Sequence, residues 1–227
     1  SENLLPNPSF EEGVGGWIPS PNGSLAQDPT IRSAAIYYGT SVGELTILSA
    51  ATGSIPYGLS ALPTGWISSD WFPVSPGQNY TFSAYVSSEY PSFGRVVARI
   101  EYSNQSSIDQ QVTISKDVDG YYYPTVVNYT DSTAVTLVAN AVYYGGIPVV
   151  DTLQPIGSGP TYYPTTNGYP IQYVPTKSRV SVSAIAPQYS RDSGTPMAKV
   201  TLYALDAAVG NTLWVDGALF QNSATLQ

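Results

Sequence analysis

The sequence predicts an all-β chain, and a two-sheet sandwich in preference to a barrel. Three observations carry this. Residues 80–88 (YTFSAYVSS), 94–103 (GRVVARIEYS), 178–187 (SRVSVSAIAP) and 198–205 (AKVTLYAL) alternate polar with apolar or β-branched side chains, the period of half-buried strands. Turn signals separate them: SPGQN at 75–79, YPSFG at 90–94 and SRDSGTP at 190–196. No window carries an apolar stripe at helical spacing, and one-sided strands must bury their apolar faces against a second sheet.

Each element has its own reading. In 80–88, Tyr80, Phe82 and Ala84 share one side while Thr81 and Tyr85 share the other, so the window alone does not say which side is inward. The middle of the chain, 104–176, has a different character. It holds Tyr121, Tyr122 and Tyr123, a stretch at 133–146 (TAVTLVANAVYYGG) that reads as one or two strands, and a Pro, Gly and Tyr-rich piece at 153–176. Proline cannot donate to a strand ladder, so that last piece is expected to be a long ordered loop or arm. DVDG at 117–120 reads as a hairpin turn. It lacks the downstream ligands and bidentate Glu of an EF-hand loop. The whole, 1–227, is expected to be a single domain with an inserted subdomain or arm at about 104–176.

Composition narrows function. At 227 residues the chain can bury a substantial core. Charged residues make up only 11% and the formal charge is −8, with eight scattered Lys and Arg. Nucleic-acid binding needs clustered cations, so no such partner is expected. No apolar run reaches the roughly 18 residues of a membrane span, and the opening SENLLPNPSFEEG has neither a basic nor an apolar leader segment. With no Cys and no His, disulfides, thiolate or imidazole metal sites and Ser-His-Asp triads are excluded. Paired carboxylates remain as catalysts in principle. Asp117, Asp119 and Asp131 are available, but nothing in sequence brings them together, and no enzymatic activity is expected.

Residues 3–17 (NLLPNPSFEEGVGGW), 66–88 (WISSDWFPVSPGQNYTFSAYVSS) and 212–221 (TLWVDGALFQ) resemble, in order and spacing, carbohydrate-binding modules of the family 4, 9 and 22 type. The resemblance implies a galactose-binding-like jelly roll. In it the opening motif forms the first strand, residues 76–85 (PGQNYTFSAY) a central strand and the WVDG motif the last. Residues 176–221 resemble more closely the version of this module found in minor tail and other virion proteins of actinobacteriophages. The stretch 104–176 departs from the family pattern, being far longer than the connection expected there. The implied function is a non-catalytic structural or adhesive virion protein, in a minor tail or decoration role. Other virion proteins, further copies of itself and host-surface glycan would be its partners. The alternative is a glycan-binding module of a secreted polysaccharide-degrading enzyme. Localisation is expected to be the virion, a start at Ser1 suiting removal of an initiator Met, or alternatively secreted.

Candidate site residues follow. The resemblance implies a structural calcium helped by Asp216 with Glu11 as its companion, hard oxygen donors of the kind calcium takes. The plain reading is that Asp216 caps a turn with Gly217 and Glu11 is solvated. Trp17 and Trp214 stand in framework motifs and are expected in the core, whereas Trp66 and Trp71 flank a short strand and are candidates for exposure. Neighbouring strand residues alternate sides, so consecutive tyrosines cannot all face one core. Tyr121, Tyr122, Tyr123, Tyr162, Tyr163 and Tyr169 are therefore the candidates for ligand or partner contact, with protein contact favoured over sugar.

Overall fold

The computed structural model describes residues 2–28, 41–56, 59, 61–88, 95–103, 109–110, 115–116, 122–123, 135–144, 162–166, 169–172, 179–186 and 196–223. Between 109 and 172 the description is of backbone alone. In chain order the strands are β1 (Trp17–Pro19), β2 (Gly23–Asp28), β3 (Val42–Ile47), β4 (Gly65–Ser69), β5 (Phe72–Pro73), β6 (Asn79–Ser88), β7 (Arg95–Ser103), β8 (Asp109–Gln110), β9 (Ser115–Lys116), β10 (Tyr122–Tyr123), β11 (Val135–Tyr144), β12 (Tyr162–Thr166), β13 (Tyr169–Gln172), β14 (Arg179–Ile185), β15 (Met197–Ala204) and β16 (Thr212–Gln221). Among the described residues there is no helix. The predicted all-β sandwich of the jelly-roll class is what the pairing shows.

Two sheets face each other. One runs β1-β4-β15-β7-β11-β8, with β5 also paired to β15; the other runs β14-β6-β16-β3-β2. Alternation decides which side chains fill the gap. From the first sheet come Ile67, Val96, Ala98, Ile100, Val200 and Leu202, and from the second Leu45, Phe82, Val86, Val182, Val215 and Phe220, all buried in one cluster. The open question about β6 is thereby answered: Tyr80, Phe82, Ala84 and Val86 point inward. Each Val, Leu, Ile or Phe side chain among them contributes about 1.5–3 kcal/mol by leaving water. Tyr102 of β7 reaches across the gap and donates from Oη to the carbonyl of Ala184 in β14 at 2.8 Å, so its buried hydroxyl is satisfied.

The opening motif differs from expectation. Residues 3–16 form a run of turns beside β16, and the first strand begins only at Trp17. Pro6 and Pro8 supply no N–H for a ladder. Asn7 (φ 43°), Phe10 (φ 57°), Gly13 (φ 85°) and Gly16 (φ 88°) take left-handed conformations that a strand cannot contain. For Phe10 this is costly, and the ring is held by complete burial, stacked on Trp17 with centroids 5.6 Å apart. The segment docks even so. Leu4 N–H donates to the carbonyl of Phe220 (3.0 Å), and Ala218 N–H to the carbonyl of Pro8 (2.9 Å).

Ala218 needs that partner because β16 carries a bulge. Asp216 stands opposite Tyr85 and Leu219 opposite Ser83, so Gly217 and Ala218 together face Ala84. Gly217 takes φ 55° there, where a Cβ would be strained. The displaced Ala218 backbone groups are satisfied by the opening segment: N–H by Pro8, and the carbonyl by Asn3 Nδ2 at 3.0 Å.

In the 104–176 range, β11 is a strand of the seven-stranded sheet, antiparallel to β7 from Thr136↔Ser103 to Tyr144↔Arg95. β9 and β10 pair antiparallel; DVDG between them lies outside the described residues. The loop expected at 153–176 contains instead a two-stranded ribbon, β12 with β13, whose register shifts between Tyr163 and Thr166. Pro164 falls in that irregularity, and a two-stranded ribbon has only edge strands, where proline is tolerated.

Candidate functional site

Strand alternation gives each sheet a second face, turned away from the core. On the seven-stranded sheet, cross-strand register lines up Trp66, Tyr203 and Val97 in one row, Ser68, Thr201 and Arg99 in the next, and Lys199 with Glu101 in a third. Charges and rings on this face are tied together. Arg99 lies over the Tyr203 ring (4.9 Å) and donates from Nη1 to Tyr203 Oη (3.2 Å). Glu101 draws in both cations, Oε1 to Arg99 Nη1 at 3.6 Å and Oε2 to Lys199 Nζ at 3.3 Å. Lys199 Nζ sits 5.0 Å from the centre of the Trp71 ring. Ser68 Oγ and Thr201 Oγ1 share a hydrogen bond of 2.9 Å.

Exposure grades across this face. The Arg99 side chain is only 2% exposed, Glu101 14% and Lys199 29%, while Trp66, Ser68 and Trp71 are half-buried. The fixed end is thus the guanidinium, and the reachable end is the flank carrying the two tryptophans. Tyr203 and Lys199 are four residues apart on β15, roughly 13 Å at strand rise, which sets the length of the strip. Burial pushes the Tyr203 hydroxyl above its ordinary range, with Glu101 adding to the rise and Arg99 and a bond to Thr201 opposing it. It therefore stays protonated and able to donate near neutral pH.

The sequence reading marked Trp66 and Trp71 for exposure and both have it. Trp17 is in the core as expected. Trp214 is buried but not between the sheets: Leu213 and Val215 point inward, and Trp214 lies on the opposite face of its sheet, its Nε1 donating to Glu44 Oε2 at 3.0 Å. Arg99, Glu101, Lys199 and Tyr203 were not singled out. Their signal was present as outward positions of two alternating windows, but their pairing spans about a hundred residues.

Asp216 is 1% exposed, and its Oδ1 accepts the Gly217 N–H at 2.9 Å, so it caps the bulge. Glu11 Oε1 accepts the Ser41 N–H at 3.2 Å. Gln27 Nε2 donates to the carbonyls of Phe10 (2.8 Å) and Glu11 (3.1 Å) and to Ser41 Oγ (3.3 Å). Calcium takes oxygen ligands; here N–H groups stand at Glu11 Oε1, Asp216 Oδ1 and the carbonyls of Phe10 and Glu11. No group of three or more Asp or Glu suited to a metal occurs among the described residues.

Tyr121 lies outside the described residues, as do Asp117, Asp119 and Asp131. Tyr122 and Tyr123 are in β10, Tyr162 and Tyr163 in β12 and Tyr169 in β13; only their backbone is described.

No family model matches the chain, and no curated protein sequence matches it. Solved structures similar to it include a family 16 carbohydrate-binding module (TM-score 0.45, 13% identity, 96% of this chain and 99% of that one). A xylan-binding domain of family 22 (0.42, 12%, 96% and 94%) and the C-terminal family 22 module of a Clostridium thermocellum protein (0.44, 13%, 96% and 94%) are others. Identities and scores of this size say nothing of ligand; the two-sheet sandwich stands on this chain's own strand pairing.

Proposed function

We propose that the chain is a non-catalytic glycan-binding module, its sugar strip being the outward face of the seven-stranded sheet. One observation carries this: Trp66 and Trp71, both half-exposed, stand on the same flank as the half-buried Ser68 hydroxyl and the Lys199–Glu101 pair. Indole faces stack on the apolar C–H face of a pyranose, and neighbouring hydroxyl and charged groups read its hydroxyls. Arg99, buried and tied to Tyr203 and Glu101, holds this network in one arrangement, so little ordering is left for the ligand to impose.

The finer proposal is its setting. The resemblance of residues 176–221 to virion versions of this module supports an adhesive role on a phage particle, where many copies would make weak contacts effective together. A module of a secreted polysaccharide-degrading enzyme would use the same face.

A glycan array with the wild type and Trp71→Ala tests the reading. The expected result is binding to one class of glycan, weakened at least about tenfold in the variant with an unchanged melting temperature. Binding that ignores both Trp71→Ala and Trp66→Ala would refute the assigned face. Mass spectrometry of purified virions tests the setting; absence from particles moves the chain to the secreted alternative.

A further inference from the structure

The strands that carry the two exposed tryptophans do not keep one register. β4 pairs with β15 as far as Ser68↔Thr201, and β5 resumes the pairing at Phe72↔Ala198. Ser69, Asp70 and Trp71 therefore stand against only Lys199 and Val200, one residue more than the partner strand supplies. Facing directions switch across this irregularity. Before it, Ile67 enters the core while Ser68 bonds Thr201 on the outward face. After it, Phe72 packs on the core, its ring 4.9 Å from that of Phe220. Plain alternation carried on from Ile67 would put Trp71 on the inward side and Phe72 on the outward one. The extra residue instead leaves Trp71 outward, its ring centre 5.0 Å from Lys199 Nζ.

An extra residue interrupts a ladder, and the interrupted backbone groups need other partners. Here the group is the N–H of Val200, a residue with no exposed surface. It donates to Ser69 Oγ at 3.1 Å, and the same hydroxyl donates to the Asp70 carbonyl at 2.9 Å. Ser69 is itself 1% exposed. One buried side chain thus serves both strands at the irregularity. Without its oxygen the Val200 N–H is left buried and unpaired, which favours a regular ladder over the irregular one.

We infer that Ser69 is the positioning residue of the sugar strip: too buried to touch a ligand, it holds the extra residue in place and so delivers Trp71 to the outward face. The inference rests on the glycan-binding reading for what Trp71 meets; how Trp71 comes to face outward rests on the register and on the bonds of Ser69. Trp66 precedes the irregularity and is set by ordinary alternation, so only one of the two indoles depends on Ser69.

The test is fluorine-19 NMR of the 227-residue chain labelled with 5-fluorotryptophan, with no glycan present. Four tryptophans give four signals, and Trp71→Phe identifies the one from Trp71. Ser69→Ala is expected to shift or broaden that signal while those of Trp17, Trp66 and Trp214 stay in place. Ser69→Thr keeps an oxygen on Cβ and is expected to leave the Trp71 signal at its wild-type position, a rescue that a general loss of packing would not give. In hydrogen exchange the Val200 amide is expected to be as slow as its neighbours in β15 in the wild type, and at least about tenfold faster in Ser69→Ala. A Trp71 signal unmoved in Ser69→Ala overturns the inference, as does one that moves equally in Ser69→Thr or a shift shared by all four signals. If Ser69→Ala does not fold, fast exchange of the Val200 amide in the wild type still overturns it. Because no glycan enters the measurement, this result and that of the array with Trp71→Ala can fail separately.

Discussion

Phe220 and Asn3, 217 positions apart in the chain, are bonded directly: the Phe220 N–H donates to Asn3 Oδ1 at 3.0 Å. The same side chain accepts from Leu5 N–H (3.2 Å) and donates to the Ala218 carbonyl (3.0 Å). One amide thus anchors the opening turns to the last strand. Asn3→Ala removes all three bonds and leaves backbone groups of Ala218 and Phe220 short of partners. The expected cost is about 2 kcal/mol, read as a lower denaturation midpoint at unchanged m-value. Full stability in the variant would mean that water replaces the amide at no cost.

Gly43 is a second pressure point. A Cβ there would meet three carbons of the Phe10 ring at 2.6–2.8 Å, and that ring is stacked on Trp17 with nowhere to move. Gly43→Ala is expected to destabilise by about 1–3 kcal/mol or more. Gly65→Ala would also clash, but chiefly with Cδ1 of Ile47, the far end of a flexible side chain. The prediction is therefore an order, Gly43→Ala below Gly65→Ala in thermal midpoint, and the reverse order would contradict the assigned packing.

Two tyrosines set an alkaline limit. Burial raises Tyr102 well above its ordinary value of 10.0, with Tyr80 adding to the rise, and burial is also the first cause of the raised Tyr203. In the unfolded chain both ionise near pH 10, whereas in the fold they keep their protons. Between those values the unfolded state binds fewer protons than the folded one. Stability is thus fully present below about pH 10 and falls as pH rises from there toward the folded pKa values. Tyr102→Phe should reduce the steepness of that fall while lowering stability at neutral pH through loss of the bond to Ala184. An identical alkaline slope would show that Tyr102 is not the group responsible.

Chelation separates amide from ion. Since Gln27 Nε2 occupies the oxygens of Phe10, Glu11 and Ser41, a calcium chelator is expected to leave the melting temperature where it was. Gln27→Ala should lower it by several degrees, corresponding to roughly 1–3 kcal/mol. A midpoint that drops on chelation and recovers with calcium would reinstate an ion held with Glu11 and Asp216.

How much of this was legible in the sequence depended on period and distance. β6, β7, β14 and β15 fall within a residue or two of the alternating windows, because a strand with one wet and one dry face announces itself; β16 was marked only by the resemblance of its WVDG motif. β2 (GSLAQD) and β3 (VGELTI) did not: they are short, each contains a glycine, and Glu44 is a charged residue that accepts a bond from Trp214 on the neighbouring strand. The opening motif was recognisable as a motif but not as turns, since the positive φ of Phe10 reflects the pocket that receives its ring and not its own preference. In the sugar strip, the tryptophans could be marked from their places beside a strand. Lys199 and Glu101 could not be paired until the sheet order put β15 next to β7.

The bulge at Gly217 has a consequence for how the last strand tolerates change. Before it, the odd-numbered Leu213 and Val215 enter the core; after it, the even-numbered Ala218 and Phe220 do. The strand therefore switches parity midway, because the bulge holds one residue more than the partner strand opposite it. Deleting Gly217 would remove the bulge and restore plain alternation, with Phe220 still opposite Phe82 and inward, while disturbing the contacts that Ala218 makes with Pro8 and Asn3.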